Sequence, residues 1–487
     1  MEALELARWQ FGITTVYHYF FVPITIGLSL LVAIMQTVWM RTRNPQWLRL
    51  TKFFGKLFTI NFALGLVTGI VQEFQFGMNW SDYSRFVGDI FGAPLAIEAL
   101  LAFFLESTFL GLWLFGWGRI PEKLHAACIW IVHIGTVLSA YFILAANSFM
   151  QNPVGYTLNP ETGRAELTNF LAVLTNKVQL VTFPHVLTAA IMTGGAFVLA
   201  FALWHLWRSG TPRADKPMYR KAAKLGAWAL LISSLGVIVS GDIQGKIMTE
   251  VQPMKMAAAE GLYEDVPEGV GAPFSIITVG TLDGSEEIWA LTVPKLLSYL
   301  ATGDLEGPVE GINHIQERYQ QTYAGNDLTE VEDYRPIIPV TYWSFRLMMG
   351  FGFAAMIIAA AALWALRKGD GESETRMEGK KWWAWAGATV LFFPLFANSF
   401  GWIFTEMGRQ PWLVMGLMST QTGVSPGVGA GTVLTSMIVY TLLYGVLAVA
   451  MVGLSLRYGR AGAEQVPEDA SYDPSNRSED DEFVFTY

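Results

Sequence analysis

Long apolar runs separated by polar connections dominate this chain. Because about 20 apolar residues form a helix long enough to cross a bilayer, each run predicts one transmembrane helix. The runs cover residues 13–39, 54–79, 94–117, 124–147, 181–207, 222–240, 341–366, 384–405 and 431–456. The pattern therefore predicts an all-α polytopic membrane protein, with about nine transmembrane helices arranged in bundles.

The composition agrees with a membrane protein. Of the 487 residues, 52% are hydrophobic and 15% are charged, whereas a soluble domain usually carries about a quarter charged residues. The single cysteine, Cys128, lies within a predicted helix, so neither an internal disulfide nor a cysteine metal cluster is expected. The first ten residues, MEALELARWQ, include acidic residues and lack the basic start of a cleavable signal peptide.

Lysine and arginine are concentrated in alternate connections. Basic clusters occupy residues 41–56, 208–224 and 367–381, whereas the 241–340 segment is rich in Asp and Glu. Basic connections usually lie on the cytoplasmic side. The distribution predicts an outer N-terminus, a cytoplasmic C-terminus and a long outer loop between helices six and seven. The net charge of −9 comes mostly from loops and the tail, so it identifies no partner.

The same pattern divides the chain into four parts. Residues 1–240 hold transmembrane helices one to six, and residues 241–340 form the outer loop. Residues 341–456 hold helices seven to nine, and residues 457–487 form an acidic tail. The composition of the tail predicts a disordered cytoplasmic end.

Ionisable side chains within the predicted helices are the first candidates for chemistry, because burying them in a bilayer is costly and usually functional. They are His18, His133, His185, Glu98, Glu106 and Glu406. For any one of them, a plain hydrogen-bonded contact between helices is about as plausible as a functional role. His125 and His205 lie beside basic residues at the predicted inner interface, and His314 lies in the loop. A structural role is the better interpretation for His125 and His205, and His314 carries no functional signal.

Four potential metal ligands fall at one depth, next to the long outer loop. His18 lies near the outer end of helix one and His185 near that of helix five, while Met348 lies near the outer start of helix seven and Glu406 closes helix eight. Haem iron takes His and Met ligands, and a His/Met pair raises its potential. The arrangement suits a haem electron path better than a transport route across the bilayer.

Local motifs carry a resemblance to a known family. RWQFGITTVYHYFFVP (8–23), GAPLAIEALLAFFLEST (92–108), QPMKMAAAEG (252–261), YWSFRLMMG (342–350) and GWIFTEMGRQPW (401–412), together with FPH (183–185), resemble subunit I of the cytochrome bd quinol oxidases. The resemblance covers nearly the whole membrane part. Within 241–340 it is confined to the surroundings of QPMKMAAAEG.

The resemblance implies haem ligands. His185 and Met348 look like the axial ligands of a low-spin haem b, with Arg346 nearby. His18 and Glu406 look like ligands of two high-spin haems, one b and one d, although which residue holds which haem stays open. The implied cofactors are thus two b-type haems and one haem d. Glu98 is a further candidate iron ligand, Trp402 an aromatic between the haems, and Arg8 and Arg409 propionate partners.

The resemblance also implies roles outside the haems. Lys255 and Glu260 match quinol-reactive residues of the outer loop, which the family calls the Q-loop. Glu98 and Glu106 look like carboxylates for proton delivery. A helix rise of roughly 12 Å separates these two, and buried carboxylates with raised pKa values can relay protons.

The expected function is that of a terminal oxidase in a bacterial cytoplasmic membrane. It would oxidise a quinol, menaquinol or ubiquinol, at the outer face and reduce oxygen to water with cytoplasmic protons. Charge separation would follow from this geometry without a proton pump. The expected partners are a homologous subunit II and, in some members, small single-span subunits; no nucleic acid is expected.

Four other functions fit the sequence less well. A haem–copper oxidase and a dihaem cytochrome b of the quinol–cytochrome c reductase type both need closely spaced or paired histidines, which this sequence lacks. A proton-coupled transporter could use Glu98 and Glu106 as its relay. Broken helices and inverted repeats would favour a transporter, and the sequence shows neither. A nonenzymatic assembly subunit is a remote alternative.

Overall fold

The computed structural model describes residues 2–281, 286–367 and 380–465. Within those ranges, nine helices are long and apolar enough to cross a membrane. They span Ala3–Thr42, Pro45–Met78, Gly88–Phe115, Glu122–Gln151, Lys177–Trp207, Arg213–Val251, Ile338–Leu366, Lys381–Met407 and Ala430–Ala461. The predicted all-α polytopic fold is confirmed, while the orientation of the termini stays a prediction.

The helices and strands are numbered in chain order. The helices are α1 Ala3–Thr42, α2 Pro45–Met78, α3 Ser81–Phe86, α4 Gly88–Ile97, α5 Phe104–Phe115, α6 Glu122–Gln151, α7 Phe170–Leu174, α8 Lys177–Trp207, α9 Lys216–Val251, α10 Pro253–Glu260, α11 Leu296–Thr302, α12 Ile312–Tyr323, α13 Ile338–Leu366, α14 Lys381–Met407 and α15 Ala430–Ala461. The strands pair as antiparallel hairpins: β1 Tyr156–Asn159 with β2 Arg164–Leu167, β3 Phe274–Gly280 with β4 Glu287–Val293, and β5 Trp412–Val414 with β6 Met418–Ser419.

Several helices run well past the apolar runs that predicted them. The first begins at Ala3, where Glu2 and Glu5 form a capping box. The sixth continues to Val251, into the segment assigned to the outer loop. The last continues to Ala461, into the segment assigned to the tail. Each extension has the same cause: backbone hydrogen bonds continue a helix beyond the length that hydrophobicity requires. Residues 466–487 of the predicted tail lie outside the described residues.

Glycines allow the central helices to approach closely. A Cβ added to Gly27 of α1 would lie 2.3 Å from the carbonyl oxygen of Ala190 in α8. A Cβ added to Gly195 of α8 would lie 2.7 Å from the carbonyl oxygen of Gly226 in α9. Small residues at such crossings are characteristic of membrane helix pairs, where packing rather than the hydrophobic effect drives association. Helices α1, α8 and α9 therefore form the tightly packed centre.

The segment between α9 and α13 folds over one end of the bundle. It begins with the short helix α10, which packs against α9, α12 and α13. Its eight residues are followed by Gly261, whose φ of +63° ends the helix in the left-handed region that favours glycine. Helix α12 turns Ile312, Ile315 and Tyr319 inward. This segment thus places α10 directly against the membrane helices.

Candidate functional site

The last turn of α14 gathers a charged cluster. Asn147 of α6 donates from Nδ2 to Glu406 Oε1 at 2.9 Å. Arg409 forms an ion pair with the other oxygen of Glu406 and donates to the carbonyl oxygens of Trp412 and Leu413. The Arg409 side chain is buried, yet its Nε has no hydrogen-bond partner. Among the described residues, the cluster therefore leaves the Nε donor of Arg409 unpaired.

Arg8 of α1 joins the same cluster through a residue that sequence analysis missed. It donates from Nη2 to Gln410 Oε1 at 2.9 Å. Gln410 in turn donates from Nε2 to the carbonyl oxygen of Glu406 at 3.3 Å. The signal for Gln410 was its position inside the GWIFTEMGRQPW motif. Arg409 therefore contacts the Glu406 carboxylate directly, and Arg8 reaches the backbone of Glu406 through Gln410.

His18 presents one ring nitrogen to the protein and leaves the other available. Its Nδ1 lies 2.9 Å from Thr68 Oγ1 in α2. The Thr68 hydroxyl donates its hydrogen to the carbonyl oxygen of Gly65 at 2.9 Å, so it accepts from Nδ1–H of His18. Among the described residues, Nε2 has no hydrogen-bond partner. A histidine held in this way at Nδ1 is oriented as metal-ligating histidines usually are.

His185 of α8 repeats the arrangement. Its Nδ1 lies 3.1 Å from Ser240 Oγ in α9, and that hydroxyl donates to the carbonyl oxygen of Gly236 at 2.7 Å. The ring therefore donates from Nδ1 and keeps the Nε2 lone pair. In the described part of the chain no group bonds to this Nε2. Sequence alone could not have shown which nitrogen is free.

Met348 of α13 lies against α14. A Cβ added to Gly401 would lie 2.9 Å from Met348 Sδ, so the missing side chain at Gly401 makes room for the thioether. Helix α14 packs against both α8 and α13, and α9 also packs against both. His185 and Met348 therefore belong to one group of four helices.

Trp402 of α14 packs against the helix that carries His18. Its ring stacks on Tyr19 of α1, with ring centroids 5.1 Å apart and an interplanar angle of 12°. Tyr19 follows His18 directly, and Trp402 follows Gly401 directly. The indole Nε1 is buried without a hydrogen-bond partner. Tyr19 was missed in the sequence, where its only signal was its place in the VYHYFF stretch.

Glu98 and Glu106 both face α6. Ser139 donates to Glu98 Oε1 at 2.6 Å, and a Cβ added to Gly135 would lie 2.6 Å from Glu106 Cγ. Ser139 and Gly135 are one helical turn apart on α6. Between the two glutamates, residues Glu98–Phe103 form a π-helix, a wider turn often found at functional sites. Glu106 is 8% exposed.

Lys255 and Glu260, both on α10, are buried although both carry ionisable groups. Glu260 pairs with Arg346 of α13 at 2.7 Å, and Arg346 also donates to the carbonyl oxygen of Ser275 at 2.7 Å. Lys255 Nζ reaches Gln252 Oε1 at 3.2 Å and Gln151 Oε1 at 3.4 Å. Arg346, predicted to lie near a haem, thus ties the loop to the membrane helix that carries Met348.

Burial moves the pKa values of these two groups towards neutrality. Desolvation lowers the pKa of Lys255 to about 7, partly offset by the charge of Glu406. Desolvation raises the pKa of Glu260 to about 7 against the opposing effect of Arg346. Groups that gain or lose a proton near pH 7 are suited to general acid–base catalysis.

The side chains present fit a haem-binding role. Two histidines keep a free Nε2 after Nδ1 is held by a hydroxyl, and the Arg409 Nε and Trp402 Nε1 donors are buried without partners. Within the described ranges, no three His, Cys, Asp or Glu side chains cluster as for a bare metal ion. A cofactor that carries its own metal and acidic groups needs only single axial ligands and a few donors.

Known proteins match this chain over nearly its whole length. The family model described as cytochrome bd terminal oxidase subunit I matches residues 6–463. The chain is 46% identical over 466 residues to cytochrome bd ubiquinol oxidase subunit 1 of Bacillus subtilis, covering 95% of each chain. It is 35% identical to cytochrome bd-II ubiquinol oxidase subunit 1 of Escherichia coli, covering 95% of this chain and 97% of that one.

A solved structure has the same fold. The chain is similar to the bd oxidase structure from Geobacillus thermodenitrificans, with a TM-score of 0.82 and 29% sequence identity. The match covers 94% of this chain and 99% of that chain. The arrangement of helices described above is therefore shared over nearly the whole length of both.

Proposed function

The chain belongs to the cytochrome bd terminal oxidase subunit I family, and we propose that it is the haem-carrying subunit of a quinol:oxygen oxidoreductase. It oxidises a membrane quinol, menaquinol or ubiquinol, at the outer face of a bacterial cytoplasmic membrane. It reduces oxygen to water with protons from the cytoplasm. The observation that carries the proposal is the pair of histidines, His18 and His185, whose Nδ1 is held and whose Nε2 is free.

The proposed ligand assignment uses residues on both sides of Trp402. His185 and Met348 hold a low-spin haem b, and His18 and Glu406 hold the two high-spin haems, one b and one d, with Glu98 as a further candidate ligand. When bound, the haems pass electrons to oxygen. Arg409 offers its unpaired Nε to a propionate, and Arg8 adds a second positive charge through Gln410. The proposal places Trp402 between the low-spin and high-spin haems, where its ring stacks on Tyr19.

Quinol oxidation is assigned to Lys255 and Glu260. Glu260 in its ionised form accepts a hydroxyl proton, and Lys255 in its protonated form binds the other quinol oxygen. Arg346 orients the Glu260 carboxylate through the 2.7 Å ion pair. Because α10 lies against α13 and near the end of α14, electrons released there enter close to the proposed low-spin site.

Protons for oxygen reduction are assigned to a relay through Glu106 and Glu98. Both face the same side of α6, and Ser139 holds Glu98 in place. Glu106 lies deeper in the bundle, towards the end predicted to be cytoplasmic. Proton uptake from one side and release from quinol on the other separates charge without a pump.

Family membership implies a subunit II partner, and the surface agrees. In the most apolar stretch of α15, 6% of the residues are buried within this chain. In that of Gly88–Phe115, the buried share is 17%. Helices this exposed are covered by lipid or by further subunits. We include small single-span subunits among the proposed partners.

A reduced-minus-oxidised spectrum of the purified complex tests the proposal. Three haem signals, including the chlorin band of haem d, are expected. A pyridine haemochrome assay provides an independent count of b-type haem. A colourless complex that moves protons across vesicles would overturn the proposal and favour the transporter alternative.

A further inference from the structure

A cavity lies on the side of the bundle away from the proposed haem ligands. It has a volume of about 570 Å³ and opens to the surface between the C-terminal ends of α8 and α15 and the N-terminal end of α14. This volume falls within the usual range for small-molecule sites. None of the residues assigned to haem, quinol or proton transfer lines it.

The lining of the cavity is apolar along its length and basic at one end. Phe201, Leu391 and Phe392 contribute to the apolar walls, and Lys381 and Arg460 are the charged residues of the lining. Three tryptophans, Trp204, Trp207 and Trp385, also line it. Tryptophan beside lysine or arginine is typical of the depth at which lipid headgroups meet the hydrocarbon core.

Three cations lie at the basic end of the cavity. Lys381 and Arg460 are exposed, and no carboxylate among the described residues pairs with either. Arg208, the residue that follows α8, adds a third cation, because its Nη1 donates to the carbonyl oxygen of Arg460 at 2.6 Å. Lys381 is also the first residue of α14, where the helix dipole favours negative charge.

We propose that this groove binds an anionic phospholipid, with its phosphate between Lys381 and Arg460 and its acyl chain along the apolar walls of α8, α14 and α15. Basic pockets between transmembrane helices are known to select such headgroups. Charge complementarity distinguishes this occupant from a neutral lipid or a quinone, neither of which would use the two cations. The inference is independent of the proposed oxidase chemistry.

The test uses the assembled complex after delipidation. Dioleoyl phosphatidylglycerol and dioleoyl phosphatidylcholine are titrated separately, and bound lipid is counted by native mass spectrometry. Lys381→Ala/Arg460→Ala should weaken phosphatidylglycerol binding at the tightest site roughly thirtyfold and leave phosphatidylcholine unchanged. Arg41→Ala/Lys123→Ala removes two exposed cations elsewhere and serves as the matched control.

A second variant tests the groove without changing its charge. Ala388 is exposed and lines the cavity, so Ala388→Trp should fill the apolar wall and displace the lipid while both cations remain. Haem content shows whether each variant is folded. Equal affinity for the two lipids, or unchanged phosphatidylglycerol binding in both groove variants, would overturn the proposal. Release of a quinone or a small polypeptide by Ala388→Trp would overturn it as well.

Discussion

The buried histidines at the two ends of the helix bundle differ in how many ring nitrogens form hydrogen bonds within the protein. At the basic end, His125 contacts Gln36 through Nδ1 and the carbonyl oxygen of Trp113 through Nε2, both at 2.7 Å. His205 likewise uses both nitrogens, on Thr211 at 3.4 Å and on the carbonyl oxygen of Gly459 at 2.8 Å. Neither ring has a lone pair left for a metal.

At the other end, His18 and His185 use Nδ1 alone. Burial does not separate the two groups, because all four rings are largely enclosed by neighbouring helices. The difference lies in the number of ring nitrogens that the protein satisfies. A buried histidine with a held Nδ1 and a free Nε2 is a candidate ligand, and one with both nitrogens satisfied stabilises the fold.

The largest expected effect follows from removing a proposed haem ligand at the end of the bundle that holds His18 and His185. His185→Ala should abolish the low-spin haem signal, and Met348→Leu should shift that haem towards high spin and lower its potential, since the thioether is lost. The measurement is a redox titration followed by optical and electron paramagnetic resonance spectra. Survival of the low-spin signal and potential in both variants would show that the assignment is wrong.

His205→Ala is the matched control at the basic end. It should leave every haem signal unchanged and destabilise the protein by about 1–3 kcal/mol, because Thr211 and the Gly459 carbonyl lose a partner. Thermal unfolding monitored by tryptophan fluorescence gives the stability change. A lost haem signal in this variant would remove the distinction between the two groups of histidines.

The next largest effect is expected at the quinol residues. Glu260→Gln should lower kcat/KM for quinol about a hundredfold, the range for general acid–base catalysis, with all haem signals retained. An artificial donor that bypasses the loop should still drive oxygen consumption. Glu306→Gln, in an exposed pair with Lys295 of the same loop, is the control. An equal loss with both donors would place the defect at the haems.

The same two residues predict a pH dependence. Glu260 acts as a base only when ionised, so activity should fall as the pH drops below its pKa of about 7. Lys255 binds as a cation only when protonated, so activity should fall as the pH rises above its pKa of about 7. A bell-shaped profile centred near pH 7 is expected for quinol, with the acidic limb absent in Glu260→Gln. A flat profile in the wild-type enzyme contradicts both roles.

A smaller effect, below the hundredfold typical of a general acid–base residue, is expected for the proposed relay, because water partly replaces a single relay carboxylate. Glu106→Gln should slow turnover, and electron transfer should stall after oxygen has bound while quinol binding stays normal. Glu98→Gln should also stall it, with a disturbed high-spin spectrum if Glu98 approaches the iron. Glu122→Gln, at the start of α6 beside Arg43, is the control. An unslowed proton-coupled step in Glu106→Gln would refute the relay.

The smallest effect is expected for His133. This residue tests whether a free Nε2 is by itself enough to identify a haem ligand. Its Nδ1 lies 3.0 Å from Ser29 Oγ, and no described residue bonds its Nε2, so it shares the pattern of the proposed ligands. The neighbouring Trp130, however, already donates from Nε1 to Thr37 Oγ1 at 2.9 Å, unlike the unpaired donors of Arg409 and Trp402. His133→Gln should leave all haem spectra unchanged. A missing haem in this variant would make the free nitrogen alone sufficient to identify a ligand.

The sequence by itself determined the number and place of the membrane helices. Each helix satisfies its backbone hydrogen bonds internally, so its length and apolarity can be recognised in one continuous stretch. The residues of GWIFTEMGRQPW and QPMKMAAAEG were found in the same way, because each motif is contiguous. The helix ends were less predictable, as α9 shows, since a helix can continue into water.

Only the tertiary structure decided which of those residues share an environment. The contact of Arg8 with Gln410 joins residues 402 positions apart, and that of Glu406 with Asn147 joins residues 259 apart. Which nitrogen of His18 is free depends on a hydroxyl in the next helix, and the ionisation of Lys255 depends on its burial against α14. Hydrogen bonding and desolvation act between neighbours in space, so no local stretch of sequence contains them.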